Sequence, residues 1–279
     1  MKKVLFLAIL FVSFTNVWGQ NKYPEGYLTD ETRPNGFVWL PAPPELTGAD
    51  FTYDFYYYQW GRQQRDGGLG ELALSDESAP INEVFGGMLD ITLDYENTPE
   101  IMNLYERAVT DALAANKKVK NIFQRTRPFA QFKEASLKPE TDEEEAGTYS
   151  YPSGHSTRGW MTALVLATVI PEAAEALFFR ARLYSLNRVI CGHHWKTDID
   201  ASLMLATGIF ATIVCTDEYQ AQLVKARAEY KAIMEKETGV PQASGGKAAA
   251  SKQAYTINGM PATENSRGII IQNGQKKIK

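Results

Sequence analysis

A chain of 279 residues with 44% hydrophobic and 22% charged side chains has the make-up of a folded globular protein, which excludes collagen-like and disordered classes. Its formal charge of −4 excludes a nucleic-acid surface held by general charge, so any basic site must be local.

The first nineteen residues read as an export signal. Lys2 and Lys3 precede an apolar run from Val4 to Val12, and Val17-Trp18-Gly19 ends on a small residue where cleavage near Gly19 or Gln20 would fall. The run is shorter than the ~20 apolar residues of a membrane span. A periplasmic or secreted chain without a membrane span after cleavage is expected, its formal charge moving to −6 as Lys2 and Lys3 leave. Residues 20–50 carry Pro24, Pro34, Pro41, Pro43 and Pro44 and read as an extended lead-in.

Residues 51–238 read as one helical domain. Residues 51–65 are dense in aromatics, suiting either an interface or core. Apolar residues recur at helical spacing over 81–93, 99–118, 161–170, 173–186, 201–214 and 218–236. The expected fold is all-α, a compact multi-helix core around a central apolar helix, which the run 201–215 is the candidate to supply. A Gly, Ala and Ser-rich linker follows over 239–252, then a small β-like tail over 253–279 with turn signals at Asn258-Gly259 and Asn273-Gly274. The tail resembles the short C-terminal sorting tails of proteins exported by the type IX route, and reads equally as a frayed extension. Of two cysteines, Cys215 would stand roughly 27 Å along a helix from Thr197, too far from Cys191 for a disulfide, so two buried free thiols are expected.

Three segments carry chemistry. In Lys120-Asn121-Ile122-Phe123-Gln124-Arg125-Thr126-Arg127-Pro128, two cations seven apart on a helix would converge on one anion, and Pro128 would end that helix. Alone, the segment reads as readily as a solvated basic face. In Tyr151-Pro152-Ser153-Gly154-His155, a small hydroxyl residue and a glycine before a helix expose backbone N–H groups to an anion, with His155 beside them as a proton donor. An ordinary helix cap reads the same way. In Asn187-Arg188-Val189-Ile190-Cys191-Gly192-His193-His194-Trp195-Lys196-Thr197-Asp198, Arg188 offers a planar fork for phosphate oxygens. Asp198, one helical turn from His194, would fix that imidazole's tautomer and leave its other nitrogen free, or form a structural ion pair. His193 faces Thr197 at that spacing, so a packing or rim role is expected. Three histidines in all, two of them adjacent, make a poor metal set. Neither metal nor other cofactor is expected. The acidic run Glu140, Asp142, Glu143, Glu144, Glu145 reads as a solvated loop, or as a lid that repels highly charged substrates.

Together the segments resemble Lys-x6-Arg-Pro, Pro-Ser-Gly-His and Ser-Arg-x5-His-x3-Asp. That motif marks the superfamily of type 2 phosphatidic acid phosphatases, class A nonspecific acid phosphatases and vanadium haloperoxidases. The similarity spans roughly residues 51–230 and is closest to the class A acid phosphatases, with Asn187 standing where the family has Ser. The resemblance implies a metal-free phosphomonoesterase acting on small phosphate esters. Lys120, Arg127, Ser153, Gly154 and Arg188 would hold phosphate, His194 would carry it, Asp198 would support His194, and His155 would act as acid and base. Relatives are often homo-oligomers. A vanadium haloperoxidase, a lipid phosphate phosphatase and a noncatalytic anion-binding protein are the alternatives.

Overall fold

The structure, a computed structural model, describes residues 24–238 and, beyond them, three short strands. The expected export signal (1–19) and linker (239–252) lie outside the described residues. The strands, Ala254–Thr256, Ile269–Gln272 and Gln275–Ile278, pair antiparallel in chain order.

The lead-in is pinned rather than loose. Asp111, fully buried on helix α4 (Pro99–Phe123), accepts the Tyr27 and Leu28 backbone N–H groups at 2.6 and 3.2 Å and the Arg33 Nη2 at 3.0 Å. A buried carboxylate must be hydrogen-bonded to be tolerated, and the arm supplies the donors.

The sequence pattern accounts for the helices where it is long and periodic. Helix α4 begins on Pro99, where the missing N–H costs nothing, and buries Ile101, Leu104, Tyr105, Ala108, Ala112, Ala115 and Val119 along one stripe. It stops at Gln124, which takes a left-handed conformation with φ 48°. The helix expected over 81–93 does not run through. Helix α3 (Ile81–Phe85) gives way to a single 3-10 turn at Gly86–Met88, because Gly86 and Gly87 weaken the helix and Asn82 Oδ1 captures the Leu93 N–H at 2.9 Å.

The central helix is α7 (Gly154–Val169), not the apolar run 201–215. Helix α7 packs against α4, α8 (Ala174–Cys191) and α9 (Lys196–Ile213), and its buried residues, from Ser156 and Thr157 to Leu166 and Val169, are spread around its circumference. Small residues permit this: a Cβ on Gly159 would lie 2.5 Å from Tyr184 of α8. Helix α9 buries only one face, with Leu203 and Met204 exposed on the other. Being apolar, the run 201–215 looked central, but its Leu203 and Met204 face outward. Cys191 is buried as expected, whereas Cys215 is exposed, lying past the end of α9; both thiols are free.

Helix α10 (Asp217–Thr238) closes α4 and α7 with Tyr219, Leu223 and Ala226. On the other side helix α1 (Phe51–Gln63) and helix α2 (Gly68–Ser75) lie on α8. The aromatics of α1 divide: Phe51 and Tyr58 pack on Trp195, with Phe51 centroids 5.1 Å from it, while Tyr53, Phe55 and Tyr56 are exposed.

Helix α1 is joined to the start of α9 by buried charge. Arg125, in the link after α4, reaches Asp54 Oδ2 of α1 at 2.6 Å and Asp198 Oδ1 of α9 at 2.7 Å. Both carboxylates are fully buried. Asp54 also accepts the Thr197 N–H and hydroxyl at 2.8 and 2.7 Å. Arg125→Ala would leave two buried carboxylates without their cation and is expected to destabilise the chain by about 3–5 kcal/mol in urea unfolding. Arg125→Lys, a single point charge, should recover less than half of that loss. A loss below about 1 kcal/mol for the alanine variant would contradict the assignment.

Candidate active site

Eight sequence-predicted residues gather where the C-terminal ends of α4 and α8 meet the N-terminal ends of α7 and α9. Lys120 and Arg188 occupy the last turns of α4 and α8, where a cation suits the helix dipole. Ser153 caps α7, with Gly154 and His155 opening its first turn. His194 lies in the α8–α9 turn, and Asp198 in the first turn of α9.

Two expected routes to this convergence are corrected. Lys120 and Arg127 do not share a helix: α4 ends at Phe123, and Arg127 is the extended N-cap (ψ 150°) of the short helix α5 (Pro128–Phe132). Pro128 does force its predecessor out of helical geometry, but it starts a helix instead of ending one. His194 and Asp198 are likewise not on one helical turn. Asp198 is the third residue of α9, and its Oδ2 accepts the Trp195 N–H at 2.8 Å while meeting His194 Nδ1 at 3.3 Å.

The turn bearing the histidines depends on Gly192, whose φ of 84° lies in the left-handed region. It lets the His193 and His194 N–H groups fold back onto the Arg188 carbonyl, both at 3.2 Å. Arg188 and His194 are thereby fixed on either side of one reversal.

The neighbours of His194 settle its tautomer. Arg127 Nη1, which can only donate, lies 3.1 Å from His194 Nε2, so Nε2 is the acceptor and Nδ1 carries the hydrogen toward Asp198. Burial, then Arg127, Lys120 and Arg188, hold this imidazole well below the usual histidine range. Burial likewise pushes the Asp198 carboxyl up, with Arg125 foremost in opposing it. His155 Nε2 meets the Glu77 carbonyl at 2.9 Å, which places its hydrogen on Nε2 and leaves Nδ1 as the other nitrogen. Burial and then Arg188 hold His155 well below its ordinary value.

His193 is fully buried, so of the two expected roles packing holds and the rim position does not. Its Nδ1 accepts from Arg188 Nη2 at 2.7 Å, and its ring meets Phe129 edge-on with centroids 5.6 Å apart. Burial and Arg188 take its pKa down to about 2.

The cations differ in how they are engaged. Arg127 donates Nε to the Glu145 carbonyl and Thr148 Oγ1, Nη2 to Thr148 Oγ1, and Nη1 to the His193 carbonyl. Arg188 is 2% exposed, and its Nε and Nη1 have no hydrogen-bond partner. A buried guanidinium with open donors is held ready for an anion, because leaving such donors unmet is costly. Burial and the nearby Arg127 lower the Lys120 pKa to about 8. Ser153 Oγ accepts the Ser156 N–H at 3.3 Å, which leaves its own hydrogen to donate. A Cβ on Gly154 would meet only Asn116 Oδ1, at 3.9 Å, so the first turn of α7 is left uncovered.

Asn187 points away from this cluster. Its Nδ2 donates to Asp76 Oδ2 at 2.6 Å, and Asp76 is itself gripped by Arg180 at 2.5 and 2.8 Å. Sequence reasoning missed Arg125, Asp54, Glu77 and Thr148. Arg125 lay inside the first quoted segment but carried no signal beyond its charge; the others lie in stretches with no motif. The acidic run is not a plain solvated loop: it forms the short helix α6 (Asp142–Ala146), and Glu145 Oε2 pairs with Arg127 Nη2 at 2.5 Å. Among the described residues no group of three His, Cys, Asp or Glu side chains could hold a metal ion. Nor is any single described helix long and apolar enough to cross a membrane.

Comparison with known proteins shows the family. The PAP2 superfamily pattern matches residues 107–221, from mid-α4 to the start of α10. The chain is 33% identical to a non-specific acid phosphatase of Providencia stuartii, over 82% of this chain and 98% of the relative. It is 28% identical to one of Salmonella typhimurium, over 81% and 90%, and 30% identical to an acid phosphatase of Zymomonas mobilis, over 67% and 73%. With the gathered Lys120, Arg127, Ser153, Arg188, His194 and Asp198 inside the matched stretch, the chain belongs to the PAP2 superfamily, among relatives that are bacterial non-specific acid phosphatases.

Proposed function

We propose that this chain is an exported acid phosphatase that hydrolyses phosphate monoesters through a phosphohistidine on His194. Kinship with acid phosphatases supports the reaction, and residues 1–19 support export. The observation that carries the mechanism is the pair of contacts made by the His194 ring, Nδ1 at 3.3 Å from Asp198 Oδ2 and Nε2 at 3.1 Å from Arg127 Nη1. Its Nδ1–H is tied to Asp198, and its Nε2 lone pair is turned toward Arg127, while burial first and then three cations disfavour its protonation.

Phosphate enters against the open donors of Arg188, with Lys120, Arg127, the Ser153 hydroxyl and the first turn of α7 around its remaining oxygens. His194 Nε2 attacks phosphorus in line, and the ester P–O bond breaks. Asp198 stabilises the charge that develops on the imidazole through Nδ1–H. The leaving oxygen takes a proton from His155. Burial first and Arg188 second hold His155 neutral; a bound phosphoryl group offsets the Arg188 part and so favours protonation of His155 with substrate bound. Water then attacks phosphorus, its proton passes to His155, the P–N bond breaks, and phosphate leaves with Nε2 restored.

In protein recovered after export, whose N-terminus should lie near Gln20, His194→Ala should lower kcat by at least about 10³-fold on an aryl phosphate while still binding inorganic phosphate. Arg188→Ala should lower kcat about 10²-fold and weaken phosphate about tenfold. Rapid quenching should trap acid-labile phosphate on the parent chain and none on the His194 variant; wild-type turnover by that variant would sink the mechanism.

The pH profile follows from the site's charges. A neutral His194 is needed for attack, and its lowered pKa keeps it so well below the usual histidine value of ~6.5. The proton for the leaving group is available only while the ester, with a second pKa near ~6, or His155 carries it. So kcat/KM should fall above about pH 6, and more steeply past about pH 8 as Lys120 loses its charge. The second step should be missing from kcat, because bound phosphate restores the lysine's proton. A kcat/KM flat between about pH 4 and about pH 9 would contradict the assignment.

A further inference from the structure

Within the phosphatase reading above, we infer that Glu145 is a specificity-determining residue. Its carboxylate covers the Arg127 guanidinium where a phosphoryl oxygen would bind, and its negative charge favours phosphate esters whose organic part is neutral over those carrying further negative charge.

Three observations point to this. Glu145 Oε2 lies 2.5 Å from Arg127 Nη2, although the Arg127 side chain is only 6% exposed and that of Glu145 is 29% exposed. The carboxylate therefore sits on the outer side of a buried site cation. Next, Arg127 does not need that carboxylate to keep its place, since Thr148 Oγ1, the Glu145 backbone carbonyl and the His193 carbonyl all hold it. Finally, the other acidic residues of α6 do different things: Asp142 Oδ2 accepts the Ser136 N–H at 3.0 Å, and Glu143 and Glu144 are exposed. Of these α6 residues it is Glu145 that turns its charge onto the cation cluster, near Lys120 as well as Arg127, while outside α6 Glu77 Oε1 lies 3.9 Å from Arg188 Nη2.

The two arginines then play unequal parts. Arg188 has open donors and receives an incoming phosphoryl group directly. Arg127 must first give up the Glu145 carboxylate and the His194 nitrogen. Every anion meets the first cost, but repulsion by the displaced carboxylate, still tethered at the mouth, grows with substrate charge. Monoesters of neutral alcohols are admitted best, and diphosphates or bisphosphates worst.

The test compares the parent chain with Glu145→Gln, Glu145→Asp and, as a control for bulk charge, Glu144→Gln. Inorganic phosphate binding is followed by calorimetry, and kcat and KM are measured on an aryl phosphate and on inorganic diphosphate. Glu145→Gln should tighten phosphate and lower KM for the aryl ester by about fivefold or more, with a larger gain for diphosphate and kcat within about twofold. Glu145→Asp, which keeps the charge, and Glu144→Gln should stay within about twofold of the parent. Unchanged or weaker phosphate binding in Glu145→Gln would overturn the inference, as would equal tightening in Glu144→Gln. If the parent turns over the aryl ester yet Glu145→Gln changes nothing, the inference alone fails. If the parent binds phosphate without turnover, the phosphatase reading fails while the binding series still decides the role of Glu145.

Discussion

Asp198 has no exposed surface, and burial alone drives its carboxyl toward the neutral form. Arg125 opposes that drive from 2.7 Å, and the Trp195 N–H adds a second donor at 2.8 Å. Taking an ion out of water costs several kcal/mol, so such a carboxylate persists only where its partners are fixed in advance. Here they are fixed by the fold. Asp54 anchors Arg125 from α1, and Thr197 ties Asp54 to the first turn of α9. The orientation of His194 is thus set from behind Asp198, by Arg125 and by the Asp54 that holds it.

The second constraint is an excess of positive charge in a poorly solvated place. Lys120, Arg127 and Arg188 stand close enough to depress His194, after burial has already done so. A histidine that stays neutral in acid remains a nucleophile there, which fits the acid phosphatases among this chain's relatives. The same excess draws Glu145 onto Arg127. Resting neutrality and the proposed substrate choice then have a common origin in three cations, Lys120 at the end of α4, Arg127 at the start of α5 and Arg188 at the end of α8.

How much of this was legible in the sequence depends on whether the signal was local. The residues of the site were, because each sits in a short segment whose types speak for themselves: Pro-Ser-Gly-His before an apolar helix, or two histidines beside Arg188. How those segments reach one another was not. Lys120 and Arg127 share a motif but are separated by the left-handed Gln124, and a single residue with positive φ leaves no trace in periodicity. Helix α9 looked central because apolar content does not say which faces find partners; α7, with its hydroxyls and Gly159, was central because small residues let three helices approach. Arg125 and Asp54, 71 residues apart, were unreadable, since a lone charge in sequence looks solvated.

Stereochemistry at phosphorus tests the central claim, that His194 carries the phosphoryl group, most directly. Two successive in-line displacements, one by His194 and one by the acceptor, restore the original configuration, whereas a single direct displacement inverts it. Transfer from a phosphate ester made chiral with oxygen isotopes to an acceptor alcohol should therefore proceed with overall retention. Overall inversion would show that water or alcohol attacks the ester directly and that His194 is not the carrier.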